Sequence, residues 1–199
     1  MSRVRVILWV LVAIALVALA FMMFRPVPET RKNETITLAS IGGPFTLTGA
    51  DGRPFSSARL SGKPYAIFFG FTNCPDVCPT TLARLIQLRK QLNAGDRSFE
   101  IVFVTVDPER DTKDVLTTYL AAFDPNIIGL VGNADQTAAA KASFGVFSEK
   151  GQADKTGSYL VNHTATVFLV GKNGEFEGTI DYGEDTKSAE AKVKRLIGG

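Results

Sequence analysis

Residues 65–78 read Tyr65-Ala66-Ile67-Phe68-Phe69-Gly70-Phe71-Thr72-Asn73-Cys74-Pro75-Asp76-Val77-Cys78. The first seven are apolar without a break, which marks a strand buried on both faces. The two cysteines follow at once. Beyond them a helical stretch runs to about residue 93, where Leu82, Leu85, Ile86, Leu88 and Leu92 mostly recur at three- and four-residue steps. The cysteine pair therefore stands at a strand-to-helix switch. In open α/β sheets, ligands bind outside the carboxyl ends of strands, so Cys74 and Cys78 are the first candidates for chemistry.

Outward from this segment the pattern repeats. Residues 100–106 (EIVFVTV) are a second buried strand, followed by a helix over about 112–123. Residues 127–131 are short and strand-like, and 135–144 are helical. Residues 164–170 and 175–182 flank Lys172-Asn173-Gly174, an Asn-Gly hairpin turn, and 185–197 close as a helix. Upstream, Phe45-Thr46-Leu47-Thr48 alternates at period two into Gly49-Ala50-Asp51-Gly52, a hairpin signal. The expected class is α/β, a thioredoxin-like fold with a mixed central sheet flanked by helices.

The front of the chain is different. Residues 6–24 carry no charge and as a helix would span about 28 Å, close to bilayer thickness. Arg3 and Arg5 precede this run, Arg25 closes it, and Pro26 and Pro28 stop the helix. Ala18-Leu19-Ala20 resembles a signal-peptide cleavage site, but the apolar run continues past it. The reading is an N-terminal transmembrane anchor over 1–25, a tether over 26–40 and the thioredoxin-like domain over 41–199. Arg3, Arg5 and the α-amino group favour a cytoplasmic N-terminus, while Arg25, Arg31 and Lys32 blur that bias. The expected address is the inner membrane, single-pass, with the domain on the periplasmic side, a compartment that permits cysteine oxidation.

The whole chain has 199 residues and a formal net charge of +2. Without Arg3 and Arg5 its 22 basic residues fall to 20, against 20 acidic ones. A neutral domain offers no general charge argument for nucleic acid. A hydrophobic content of 45% excludes intrinsic disorder, and two cysteines are too few for a disulfide framework.

On a regular helix, Cys74 and Cys78 at i and i+4 would hold their Cβ atoms roughly 5–6 Å apart. A disulfide wants roughly 3.5–4.5 Å, whereas two thiolates about 2.3 Å from one metal tolerate more. The spacing suits a metal chelate at least as well as a disulfide. A helix N-terminus also favours the thiolate. His163 is the chain's single histidine and directly precedes the strand 164–170. In this layout the loop before that strand faces the cysteine helix. Two soft thiolates and an imidazole select Cu(I), and imidazole suits Cu(II) as well. Zinc wants a fourth ligand, which Asp76 would supply only by bending back.

These residues match a family. Gly42-Gly43-Pro44-Phe45, Leu60-Ser61-Gly62-Lys63, Phe69-Gly70-Phe71-Thr72, Cys74-Pro75-Asp76-Val77-Cys78-Pro79, Val106-Asp107-Pro108-Glu109-Arg110-Asp111-Thr112 and Tyr159-x-x-Asn162-His163 carry the likeness, over about residues 42–182. The chain resembles the Sco/SenC family, membrane-anchored copper proteins of cytochrome c oxidase assembly. The resemblance implies a thioredoxin fold with Cys74, Cys78 and His163 as copper ligands. It implies delivery of copper, or reduction of cysteines, at the binuclear copper centre of cytochrome c oxidase subunit II. Another periplasmic copper carrier is a second expected partner. Asn162 and Thr164 stand where the family commonly has aspartate and serine, which takes a negative charge away from the metal.

Beside a copper chaperone, the residues allow a thiol–disulfide oxidoreductase, with Cys74 as nucleophile and Cys78 resolving. The spacing, and the lack of any proline after Pro125 to act as the thioredoxin cis-proline, speak against a general oxidant. A peroxidase lacks an arginine beside the cysteines in sequence, and a tethered module with an inert disulfide would bind no metal. The segment 107–112 reads equally as a turn with Asp111 or Thr112 capping the next helix, or as a partner-facing motif.

Overall fold

The computed structural model describes residues 3–23, 41–92 and 98–198. By contacts the chain divides into two units, 1–35 and 36–199. In the first, α1 runs over Arg3–Met23. Counted over the described side chains, which on α1 are those of residues 3, 5–16 and 21, no helix is long and apolar enough to cross a membrane. The expected tether falls outside the described residues.

In the second unit, β1 (Thr46–Gly49) and β2 (Pro54–Ser56) form the antiparallel hairpin that the alternation at 45–48 predicts. Then come β3 (Tyr65–Gly70), α2 (Val77–Gln91), β4 (Glu100–Thr105), α3 (Lys113–Ala121), β5 (Ile128–Val131) and α4 (Ala134–Phe144). A short pair, β6 (Ser148–Lys150) and β7 (Val161–His163), precedes β8 (Thr166–Val170), β9 (Phe176–Asp181) and α5 (Thr186–Gly198). Seven strands make one sheet in the order β2-β1-β5-β4-β3-β8-β9, and β6-β7 is a separate two-stranded ribbon. The fold is a mixed α/β sheet flanked by helices. β3 and β4 pair in parallel at the centre, and every residue of both is buried. That is the physical content of the unbroken apolar run in β3 and of Ile101 to Val104 in β4, where Glu100 and Thr105 at the two ends are buried as well.

Helix ends follow local chemistry. Thr112 caps α3 by accepting from the Val115 N–H, so of the two candidate caps it is Thr112 that serves. Asn133 and Gln136 form a reciprocal capping box on α4, which ends at Gly145 in the left-handed region (φ 65°). Five residues, 171–175, join β8 to β9, and the Lys172-Asn173-Gly174 turn is closed by Gly171 N–H donating to the Glu175 carbonyl at 2.9 Å. Gly174 N–H donates to the Gly171 carbonyl at 3.0 Å, with Gly174 at φ 84°.

Two features place the centre. The buried stripe of α2 begins with Cys78 and continues through Leu82 and Leu85. Gly70, at the end of β3, lets the sulfur in: a Cβ there would stand 2.8 Å from Cys78 Sγ and 3.0 Å from the Phe103 ring.

Candidate metal centre

Only one cysteine lies on the helix. α2 starts at Val77, so Cys78 is in its first turn and Cys74 stands in the loop before it. The expected i, i+4 helical pair is corrected accordingly. Pro75 has no N–H to give, and Pro79 fits the first turn, where an N–H has no intrahelical partner anyway. Asp76 caps α2 in position only, with no side-chain cap bond. Cys74 Sγ instead accepts from the Cys78 N–H at 3.4 Å, which brings the two sulfurs to one side. Asp76 faces away, accepting from Tyr182 Oη (3.2 Å) and Thr80 Oγ1 (3.3 Å).

His163 arrives on a strand, not on the loop before β8. β7 pairs with β6, with Ser148 opposite His163. His163 Nδ1 lies 3.0 Å from the Thr164 carbonyl oxygen, which only accepts, so Nδ1 carries the proton. Nε2 then presents its lone pair, 3.7 Å from Cys78 Sγ. The rings of Phe68 and Phe71 stand edge-on to the imidazole at 6.0 and 5.7 Å. Burial holds the imidazole pKa below its ordinary value, so at neutral pH the ring is uncharged and able to ligate. One donor atom from each of Cys74, Cys78 and His163 lies within 4.8 Å of the others, and both cysteines are free. Asn162 is exposed, and strand alternation turns it to the opposite face of β7 from His163.

The two thiols are unlike. Cys74 is half-buried and Cys78 is 0% exposed. Burial pushes the Cys78 thiol far up; the Phe71 N–H bond to its sulfur opposes this, and the neighbouring Cys74 adds to it. Desolvation therefore outweighs the helix N-terminus, against the expectation of an activated thiolate at Cys78. Brief treatment of reduced protein with iodoacetamide should place one adduct on Cys74, at least about tenfold faster than on Cys78. Peptide mass mapping checks this, and equal rates would contradict the burial difference.

Four residues that support these segments were not among the candidate ligands. Asp111 is 0% exposed and accepts from Thr72 N (3.0 Å), Thr72 Oγ1 (2.6 Å) and Thr105 Oγ1 (2.6 Å). It thereby fixes the chain two residues before Cys74. Asp107, also buried, accepts from Tyr159 Oη at 2.9 Å and from Arg110 Nε at 2.5 Å. Arg110 Nη1 donates to the Tyr159 carbonyl at 2.8 Å, and its guanidinium lies 3.6 Å from the centre of the Tyr159 ring. The sequence signal was the charged run 107–111 itself; its partners lie too far along the chain to be read from spacing.

Comparison with known proteins agrees with this architecture. The SCO1/SenC family profile matches residues 33–198. The mitochondrial SCO1 homolog of Mus musculus is 34% identical over 165 residues, covering 81% of this chain and 57% of that protein. The chain thus spans little more than half the length of that relative. Copper-bound ScoI of Bradyrhizobium japonicum superposes with a TM-score of 0.70 at 37% identity, covering 78% of this chain and 99% of that one. Copper-bound yeast Sco1 gives 0.73 at 33% identity, covering 80% and 90%. With its profile match across nearly the whole described domain, the chain belongs to the SCO1/SenC family.

Proposed function

We propose that this protein is a copper chaperone, not an enzyme, that binds copper through Cys74, Cys78 and His163 and assists assembly of the binuclear copper centre of cytochrome c oxidase. The observation that carries the reading is the convergence of two sulfurs and one imidazole nitrogen within 4.8 Å. Two thiol sulfurs and an imidazole form a soft donor set suited to Cu(I) that also accommodates Cu(II). Copper is cargo here. Cys78 gives up its proton on binding, His163 is already neutral with its Nε2 lone pair turned to Cys78 Sγ, and half-buried Cys74 is the donor an incoming ligand meets first. The copper-bound structures of relatives support the choice of metal.

The receiving partner in this proposal is oxidase subunit II, and another periplasmic copper carrier is a candidate donor. Residues 1–25 act as a single-pass inner-membrane anchor, supported by the helix over Arg3–Met23. Residues 26–40 are the tether, and 41–199 form a thioredoxin-like copper-binding domain on the periplasmic side.

In the full chain, held in detergent, His163→Ala should weaken copper binding by at least about tenfold in competition with a chromophoric chelator. Unchanged affinity would remove the histidine from the site. A second reading has its own observation, the two free thiols side by side. As a reductase, Cys74 would attack a partner disulfide, and Cys78 would then release the partner as a thiol while the pair becomes a disulfide. Turnover without copper and indifferent to His163 would favour it.

A further inference from the structure

The strand that carries His163 lies outside the main sheet and is held at its two ends. β7 is three residues long and, among the described strands, pairs with β6 alone, and the ribbon is separate from the seven-stranded sheet. An isolated two-stranded ribbon is marginal in water. At one end, Thr164 N–H donates to the Phe147 carbonyl at 3.0 Å, and Phe147 N–H donates to Thr164 Oγ1 at 3.0 Å. At the other end stands Tyr159, buried, with its hydroxyl on Asp107 and its carbonyl on Arg110. Two cations lie over its ring, Arg110 at 3.6 Å and Lys150 of β6 at 4.2 Å from the centre. Asp107 and Arg110 sit on the segment that follows β4, the same segment whose Asp111 grips Thr72 ahead of Cys74. One short stretch of chain thus holds both the cysteine loop and the approach to His163.

The geometry points to Tyr159, clamped by Asp107 and Arg110, as a positioning residue that sets the imidazole at its distance from the sulfurs. The assignment rests on the proposed copper reading, and it adds a residue that touches no donor atom. The hydroxyl–carboxylate bond is buried, so it fixes Tyr159, two residues before β7 begins and four before His163. Without it the ring still stacks on Arg110, and the ribbon keeps its own hydrogen bonds. The fold therefore survives while the imidazole loses its register against Cys78. Orienting partners outside the ligand set commonly control metal affinity by about 10–100-fold.

The test is a double-mutant cycle in the full chain. Tyr159→Phe should lower copper affinity about tenfold with little change in melting temperature. It should also weaken the nitrogen hyperfine pattern in the Cu(II) electron paramagnetic resonance spectrum. Tyr159→Phe combined with His163→Ala should bind no worse than His163→Ala alone, because the tyrosine acts through the histidine. Asp124→Asn, which breaks the Arg89–Asp124 ion pair, is the control for general loosening, and its effect should add in full to that of His163→Ala. Asp107→Ala, judged by the same spectrum, is the second variant. Wild-type affinity and spectrum in Tyr159→Phe, or a loss that adds in full to that of His163→Ala, would overturn the positioning role alone. A His163→Ala chain of unchanged affinity would overturn the ligand reading and the positioning role together.

Discussion

Cys78→Ser should cost the reduced chain at least about a hundredfold in copper affinity while leaving its fold intact. The structural zinc sites of small peptides bind with about 10–16 kcal/mol from four ligands, so one thiolate is worth about 3 kcal/mol. Cys78 is the sulfur that His163 Nε2 faces and the one whose backbone N–H is tied to Cys74. A serine hydroxyl is slightly smaller, fits beneath Gly70, and still accepts from the Phe71 N–H. Its oxygen is hard and does not deprotonate in a buried site, so it replaces the shape but not the ligand. Chelator competition gives the affinity, and thermal melting gives the control. Retention of wild-type affinity in a folded Cys78→Ser chain would remove Cys78 from the site.

Asp111→Ala should destabilise the domain by about 3 kcal/mol, a loss large enough to read directly from urea denaturation. The carboxylate is fully buried and accepts three hydrogen bonds from Thr72 and Thr105. Removing it leaves a backbone N–H and two hydroxyls without that acceptor, at roughly 1–3 kcal/mol for each one that water cannot reach. Thr105→Val removes one of those donors and should cost less, about 1 kcal/mol. The lost grip on Thr72 also frees the loop ahead of Cys74, so copper affinity should fall with stability. A change below about 1 kcal/mol for Asp111→Ala would show that the loop is held by other means.

The contrast between Asp111 and Cys78 shows what a sequence discloses. Residues 65–71 announce a buried strand because no polar residue interrupts them, and 100–106 because Ile101 to Val104 form an apolar run between Glu100 and Thr105; both lie at the centre of the sheet. The stripe that begins at Cys78 is legible for the same reason. Asp111 looks like a helix cap because aspartate before a helix usually is one. Its partner Thr72 lies 39 residues away, and no local pattern carries that pairing. The ribbon is hidden for a different reason. Residues 148–150 are polar and mostly exposed, so they lack the alternation that marks a half-buried strand. From sequence His163 therefore reads as part of a loop, although its place before β8 already predicts that it lies near the cysteines. Cys74 was placed on the helix because spacing counts residues and cannot show where the first turn begins.

The ribbon bears on how cargo would leave. With the three donors in their proposed roles, the imidazole is carried by a ribbon that shares no rung with the seven-stranded sheet, so displacing it would break no bond of that sheet. Of the two sulfurs, that of Cys74 is reachable and that of Cys78 is sealed, so an incoming ligand would displace Cys74 before Cys78. A carrier built this way would let go stepwise, keeping a bond from the sealed sulfur to the ion until the recipient has supplied its own.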